Sequence, residues 1–503
     1  MREVQLAMLR RFFKNAGIMA GTEIILRLKG FIFMPILTRH FGPLNYGVWS
    51  QVLMLISLFS PLLVLGTDSA VMRYFSGRPE EEQRKFFSAW NLFLLVITVP
   101  FCLILMLFKT PLSCFFFGSG GDYELFIPLA AASLFLNIFL NTARNWYRIQ
   151  NNARVFSCIS VAQAIAGIIA MLIMVFNKKG AYELVLYTII GDLLIVGSLF
   201  ILIACTGGWR KPDFSIIPLL LRFGLPLVPI AYAMWGLNSM DRLFLVKYTT
   251  MAELGIYSLV YYIGYLVIQV LVNPLWNMYP SSATELYIKN AHGELQRLFD
   301  YVCGAIVALT IPAITGLIVV GRPVITTLAT PDFLSGAPLM AVITTGYLFL
   351  MLASFFETAL GWIHRQYYVT LSMTGAFLVN LILNALLIPR YTIAGAAWAT
   401  CAAFFFHLVI SYGLARGYRL LKVNFAFPLS ICALSGLMGL SVYGLSLLLP
   451  RDGFIPLIIL PFAGILIYIT LLLLFKVLSI SMIRNALEKL FLKEKSLDDV
   501  GRS

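Results

Sequence analysis

The sequence predicts an all-α, polytopic membrane protein of about fourteen transmembrane helices. Three observations carry that prediction: apolar runs of roughly 20 residues, too little polar side chain to cover a soluble body, and basic residues whose density alternates between successive connections. Of 503 residues, 60% are apolar and 12% charged, and the mean hydropathy is +0.88. A soluble chain of that length needs a larger polar surface. Lipid instead demands an apolar surface and backbone groups satisfied inside helices or a closed barrel. Run length selects helices, because a hydrocarbon core about 30 Å thick takes ~20 helical residues, whereas barrel strands alternate over ~10.

The runs lie near 12–37, 46–67, 86–108, 123–143, 155–176, 183–206 and 218–247, then near 253–279, 298–320, 333–361, 367–388, 393–416, 425–449 and 454–478. Turn or charge signals separate them. The first is too long and too polar inside for a cleaved signal peptide and lacks a small-residue cleavage pattern, so it is expected to stay in the mature protein.

The net charge of +14 invites a nucleic-acid reading, which placement removes. With an even number of spans and a cytoplasmic N-terminus, the inward segments hold 26 Lys and Arg and the outward loops nine, with Arg27 and Lys29 inside the first helix. By the positive-inside rule this puts both termini in the cytoplasm of a cell inner (plasma) membrane protein. Seven cysteines are scattered through apolar runs with no Cys-x-x-Cys pair, and no His cluster has metal-ligand spacing. Neither a disulfide framework nor a metal site is expected, and no cofactor.

The chain contains weak copies of itself. Leu37-Thr-Arg-His-Phe-Gly-Pro-Leu-Asn-Tyr-Gly-Val-Trp-Ser50 parallels Leu245-Val-Lys-Tyr-Thr-Thr-Met-Ala-Glu-Leu-Gly-Ile-Tyr-Ser258 at an offset of 208. Gln83-Arg84 with Phe86 parallels Gln296-Arg297 with Phe299 at 213, and Trp146 with Gln150 parallels Trp362 with Gln366 at 216. Order and membrane side are kept in all three. The implied organisation is a six-helix bundle over 1–208, a second over 209–420, two added helices over 421–480 and a basic tail over 481–503. A parallel repeat of this kind has a pseudo-two-fold axis along the membrane normal and a cavity between its halves.

Several fragments resemble the oligosaccharide flippases of the polysaccharide transport group, a branch of the multidrug/oligosaccharidyl-lipid/polysaccharide exporters. These are Leu37-Thr-Arg with Gly42-Pro and Tyr46-Gly47, Gly66-Thr-Asp-Ser-Ala with Arg73-Tyr74, Arg222-Phe-Gly-Leu-Pro226-Leu, Ser239-Met-Asp241-Arg242, Glu253-Leu-Gly-Ile-Tyr257-Ser and Gly395-Ala-Ala-x-Ala-Thr400. They span residues 15 to about 415. The resemblance implies export of a lipid-linked sugar, usually an undecaprenyl-pyrophosphate glycan, from the cytoplasmic to the outer leaflet. Its expected partners are that polyprenyl-linked glycan, membrane lipids and polysaccharide assembly proteins. Related lipid II flippases carry Arg-x-x-Gly-Phe-x-Arg-Asp in the first helix. Here Arg27-Leu-Lys-Gly-Phe31 matches the opening, but Phe33 and Met34 stand where that group has Arg-Asp. The 208 offset carries those two positions onto Asp241 and Arg242, so the other half is the place to look for a charged pair.

A charge deep in a membrane helix costs roughly 2.5–3.5 kcal/mol on insertion scales and normally faces protein or a watery cavity. Arg27, Lys29 and Arg242 are therefore the candidate substrate-binding cations, since a pyrophosphate needs cationic donors in a partly dry site and arginine presents a fork of them. The competing reading for Arg27 is an i,i+4 pair with Glu23; for Lys29, snorkelling to an interface; for Asp241 and Arg242, anchoring at the outer end of their helix, where adjacent side chains diverge. Asp68 and Arg73 are candidates for a gate contact, against a solvated helix end. Asp192 and Glu357 are candidates to take up a proton or sodium ion, against hydrogen bonding to a neighbouring helix. Pro35, Pro226 and Pro229 remove helical donors in the helices that open the two halves, and are candidate hinges against static kinks.

The expected activity is non-enzymatic transport of a lipid-linked oligosaccharide by alternating access. No Gly-x-x-x-x-Gly-Lys-[Ser/Thr] loop occurs, so a gradient or mass action supplies direction. Two alternatives stand beside it. A cation-coupled drug exporter of the same superfamily favours an embedded carboxylate over a cationic lumen, and a membrane glycosyl polymerase or ligase needs a large outer loop.

Overall fold

The computed structural model describes residues 2–150, 152–418 and 420–475; in the first helix the side chains described are those of residues 22, 30 and 33 onward. Glu23, Arg27, Lys29 and the tail 481–503, all singled out from the sequence, lie outside the described residues.

Every regular element among the described residues is a helix. In chain order they are α1 (Arg2–Val64), α2 (Thr67–Phe75), α3 (Glu80–Leu107), α4 (Lys109–Phe117), α5 (Phe126–Ile149) and α6 (Ala153–Phe176). There follow α7 (Ala181–Cys205), α8 (Ile216–Gly224), α9 (Val228–Tyr248), α10 (Met251–Leu271), α11 (Asn273–Trp276) and α12 (Tyr279–Ile288). The last are α13 (His292–Leu328), α14 (Leu339–Trp362), α15 (Gln366–Gly417), α16 (Ala426–Ser446) and α17 (Phe454–Leu474). Twelve helical stretches among the described residues are long and apolar enough to cross a membrane. Their outward faces are apolar in mid-helix, with Val96, Leu194 and Ile201 64%, 67% and 65% exposed. Three such side chains in contact with water would forfeit the burial that folds a soluble protein; in lipid they are already solvated by hydrocarbon. The protein is a multi-pass membrane protein.

The sequence separates its apolar runs by connections, and in two places the connection is a reversal at a single residue. The 52-residue α15 breaks at a single residue, Thr392, with φ 49° and ψ −125°. It is a hairpin: the Asn380 amide donates to Thr400 Oγ1 at 3.3 Å and Ser372 Oγ meets His407 Nδ1 at 2.9 Å. Along a straight rod Asn380 and Thr400 would be about 30 Å apart. In α1 the break is Gly42, at φ 64° and ψ −178°, and the rings of Phe33 and Trp49 come within 6.3 Å of each other where a rod would separate them by about 24 Å. A one-residue reversal suffices because a positive φ redirects the chain, a conformation glycine takes without cost and threonine takes only under constraint.

Close contacts divide the chain into two compact units. One comprises residues 1–262, 328–336 and 365–411, the other 263–327, 337–364 and 412–503. In the first, Phe87 lies 4.6 Å from Trp146 and 5.6 Å from Trp209, and Trp90 is buried with its indole N–H donating to Thr67 Oγ1 at 2.8 Å. In the second, α16 and α17 pack on α13 through Val307, Ile431, Met438 and Leu460, and the Tyr468 hydroxyl donates to the Ala308 carbonyl at 2.9 Å. The added terminal helices thus belong to one packed core with α13.

The repeat has a physical counterpart inside the first unit. A Cβ on Gly47 would fall 2.0 Å from the carbonyl oxygen of Met251, and a Cβ on Gly255 would fall 1.9 Å from that of Pro43. Gly47 and Gly255 are 208 residues apart, as are Pro43 and Met251. Ser50 Oγ donates to Ser258 Oγ at 3.0 Å, again across 208 positions. A contact in which i meets j′ and j meets i′ is what a two-fold axis produces. The exchange recurs at the helix ends, where Thr38 Oγ1 donates to the Leu328 carbonyl at 3.0 Å and Gly118 faces the carbonyl of Val246.

Candidate functional site

Among the described residues of the first unit, a buried charged centre is built on α9 and α10, next to the glycine crossing. Asp241 is 1% exposed and Tyr257 fully buried. The Tyr257 hydroxyl donates to Asp241 Oδ2, while Oδ1 accepts the backbone N–H of Arg242 at 2.8 Å. The Arg242 guanidinium folds back along its helix. Its Nη1 donates to the Asn238 carbonyl at 2.7 Å and lies 3.5 Å from Asp241 Oδ1. Adjacent positions on a helix send their side chains apart, as expected; the length of arginine and the i−4 carbonyl bring the head group back to the carboxylate. Two tyrosine rings complete the setting, Tyr261 at 4.8 Å and Tyr257 at 5.9 Å from the guanidinium carbon. Rings at that range stabilise a cation where water is scarce.

A polar thread leads away from this centre into α15. Thr400 lies near enough to the Tyr257 hydroxyl to act on it electrostatically and accepts from Asn380, which accepts from Asn384 at 2.8 Å. All three α15 side chains are buried. A buried carboxylate persists only when its lone pairs are met, and the tyrosine and the peptide N–H meet them here. Asp241 is therefore no interfacial anchor reaching for water.

Positions 33 and 34, the repeat counterparts of 241 and 242, are apolar and packed: Phe33 against Trp49, Met34 4% exposed. The two-fold arrangement thus carries one charged pair. On the α1 side, Gly30 gives the tyrosine collar access to the helix backbone, since a Cβ there would meet the Tyr262 hydroxyl at 2.3 Å. Tyr46 lies within electrostatic range of both Tyr262 and Arg242. Arg27 is three residues before Gly30 in sequence.

The other sequence-predicted residues are dispersed. Asp192 on α7 is buried and accepts from the Gln163 amide on α6 at 3.3 Å; Gln163 in turn accepts from Arg144 on α5. Arg144, counted in the sequence among inward-facing loop cations, is partly buried within a helix and belongs to this relay. Glu357 sits on α14 in the second unit, partly buried. Asp68 and Arg73 share α2 without an ion pair between them: Asp68 Oδ1 accepts the Ser69 N–H at 2.8 Å, and the Arg73 guanidinium lies 5.0 Å from the ring of Phe223. Pro35 lies inside α1, seven residues before its break. Pro226 is the middle of a 3-10 turn, Leu225–Leu227, and Pro229 opens α9. Neither interrupts a helix. The backbone stays in the right-handed helical region from Gly224 to Val228, so these prolines lie where α8 passes into α9 through one 3-10 turn.

Sequence reasoning missed Tyr257, Tyr261 and Asn238. Asn238 stands one helical turn before Asp241 and Arg242, and the two tyrosines follow across a short turn, but aromatic residues are so common in apolar helices that spacing alone does not single them out.

Residues 36–338 match a protein family described as polysaccharide biosynthesis proteins. One relative, Lsg locus putative protein 1 of Haemophilus influenzae, is 24% identical over 256 residues, 50% of this chain; the match spans 60% of that relative's length. Among solved structures, the chain is similar to the lipid II flippase MurJ in an inward closed conformation, with a TM-score of 0.74 at 16% identity over 90% of this chain and 97% of that one. It is also similar to an inward-facing multidrug resistance MATE family transporter of the MOP superfamily, with a TM-score of 0.63 at 15% identity over 78% and 93%. At these identities the likeness is one of fold.

Proposed function

The chain belongs to the family of polysaccharide biosynthesis proteins, and from that premise we propose that it is a flippase carrying a lipid-linked oligosaccharide, a polyprenyl-pyrophosphate glycan, from the cytoplasmic to the outer leaflet. The observation that carries this reading is the Arg242 guanidinium, 12% exposed and held among tyrosines beside the crossing of two repeated segments. An embedded guanidinium is costly unless it serves an anion, and its planar fork suits phosphate oxygens. Arg27 and Lys29 add positive charge to the stretch of α1 that precedes Gly30. Access alternates between the two sides of the membrane while the lipid tail stays in the bilayer. The chain itself performs no bond chemistry; a gradient or mass action gives direction, with Asp192 and Glu357 as the carboxylates for a proton or sodium ion. Pro35, Pro226 and Pro229 are the hinges.

The test is a proteoliposome assay in which a fluorescent polyprenyl-pyrophosphate oligosaccharide becomes accessible to an impermeant glycosidase. Protein-dependent crossing is expected, and Arg27→Gln should slow it about ten- to a hundredfold, the worth of one charge-assisted hydrogen bond of ~1.5–3 kcal/mol. Crossing at the wild-type rate removes Arg27 from the site. Extrusion of cationic drugs with no movement of the glycan lipid overturns the proposal in favour of a drug exporter.

Orientation is checked separately. Lys178 and Lys179 are exposed in the turn between α6 and α7, and an impermeant amine reagent should modify them from outside intact cells. Modification only after the membrane is opened reverses the topology.

A further inference from the structure

A second polar site lies in the first unit, apart from Arg242. A cavity of about 440 Å³ is bounded by the end of α1, α2, α3, α5 and the start of α9. That volume falls within the ~300–1,000 Å³ of small-ligand sites. Its polar lining consists of Ser60, Asp68, Ser69, Asn141, Thr142 and Asn145, with no basic side chain among the described residues that line it.

Most of these groups are not used up by the protein. Thr142 is spent on Asn91 and the Phe139 carbonyl. Asn141 donates to Asn137 Oδ1 at 3.0 Å, which leaves its own carbonyl oxygen. Asp68 gives one oxygen to the Ser69 N–H and keeps the other. The side chains of Asn145, Ser60 and Ser69 make no hydrogen bond among the described residues. Asn137, Asn141 and Asn145 recur every four residues along α5, so one face of that helix presents a ladder of amides. Pro61 and Val64 at the end of α1 and Leu227 and Val228 at the start of α9, all partly exposed, supply the apolar part of the lining.

The mixture decides the class of ligand. Amides and hydroxyls offer donors and acceptors together, as the ring of hydroxyl groups on a sugar requires, and the apolar part of the lining suits the C–H face of that ring. An apolar ligand would strand the amides unpaired at roughly 1–3 kcal/mol each. A phosphate finds no cation among the described lining residues, and any acidic group meets the Asp68 carboxylate. We propose that this cavity binds an uncharged sugar residue of the lipid-linked glycan and discriminates against uronic acids. The proposal rests on the flippase reading only for the origin of that sugar; the site itself is read from the lining.

The corner at Gly66 and Gly224 shapes the cavity. Gly66 has φ 66°, and a Cβ on it would fall 2.5 Å from the Gly224 carbonyl oxygen. The backbones of the α1–α2 turn and the end of α8 therefore touch, and the turn presents Asp68 to the cavity.

The test uses the full-length protein with its exposed cysteines Cys114, Cys158, Cys205 and Cys432 replaced by serine and Asn145→Cys introduced as a reporter. Maleimide labelling is timed with and without a panel of probes: methyl glucoside, galactoside, mannoside, rhamnoside and N-acetylglucosaminide against methyl glucuronide and galacturonide. At least one neutral glycoside should slow labelling roughly tenfold when present at about ten times its Kd, while neither uronide does. Adding Asp68→Asn should let a uronide protect as well. Failure of every neutral glycoside to protect, or equal protection by uronides with Asp68 intact, overturns the proposal. If Asn145→Cys fails to give a folded protein in a thermal melt, Asn141→Cys, exposed on the same face, replaces it. Protection without transport of any glycan lipid sinks the flippase reading and leaves the sugar site standing. Transport without protection does the reverse.

Discussion

Replacing Gly255 with valine is expected to leave no folded protein after detergent extraction. The added side chain would begin 1.9 Å from the carbonyl oxygen of Pro43 and 2.8 Å from the amide nitrogen of Gly47. Both obstacles are backbone, so no side-chain rotation relieves the clash; the helices must separate. Overpacking of an ordinary core costs ~1–3 kcal/mol, and forcing two helix backbones apart exceeds that, above about 4 kcal/mol, a large part of a typical folding stability of ~5–15 kcal/mol. Gly47→Val should cost as much, because Gly47 meets Met251 at 2.0 Å in the mirrored arrangement. Gly197→Ala is the control, with nothing near its Cβ. Monodispersity by size exclusion and the midpoint of a thermal melt in detergent decide the matter. If one of the two valine variants folds normally while the other collapses, the two-fold equivalence of the crossing is wrong.

Loss of Arg242 should abolish transport through two separable effects. Arg242→Gln alone leaves Asp241, 1% exposed, without its guanidinium; breaking a buried pair in this way costs ~3–5 kcal/mol, so the single variant should be unstable. In the double variant Asp241→Asn with Arg242→Gln both charges go, and the amide introduced at position 241 keeps its carbonyl oxygen for the backbone N–H of residue 242 while its NH2 donates to the Tyr257 oxygen. That protein should melt within a few degrees of wild type yet move a polyprenyl-pyrophosphate glycan at least about tenfold more slowly, the loss of ~1.4 kcal/mol or more of transition-state binding. A double variant with wild-type stability and wild-type transport would show that the pair serves only to neutralise itself. Arg242→Lys should fall between, since an ammonium keeps the charge but loses the planar fork.

These two predictions stand on different kinds of legibility. Gly47, Gly255, Ser50 and Ser258 align in the sequence because a repeat preserves its small residues where backbones must touch, and the contacts found are those the alignment implies. Asp241 and Arg242 are legible as charges in an apolar run. What they do is not: that arginine turns back onto its neighbour depends on an i−4 carbonyl, two tyrosine rings from the next helix and an amide thread from α15, about 140 residues further on. The Asp192 relay is half legible. The carboxylate stands out, but Arg144 resembles a loop cation, because a charge near a helix end looks the same in sequence whether it points to water or to Gln163. The Asn137–Asn141–Asn145 ladder escapes a charge-based reading altogether, since amides carry no charge and depress hydropathy only slightly.

By itself the sequence determined the membrane setting, the helical class, the repeat and its offset, because each follows from summed properties: about 20 apolar residues per crossing, and small residues returning in register. It also left gaps between runs at 38–45 and 389–392, without stating that each turn would take one residue. The tertiary structure decided which polar groups share a site. Hydrophobic burial is non-directional and adds along the chain, so it survives reading in one dimension; hydrogen bonds and ion pairs depend on angles and on partners far away in sequence, so Asp241 with Tyr257, Asp192 with Gln163, and the cavity beside Asn145 exist only once the helices have packed.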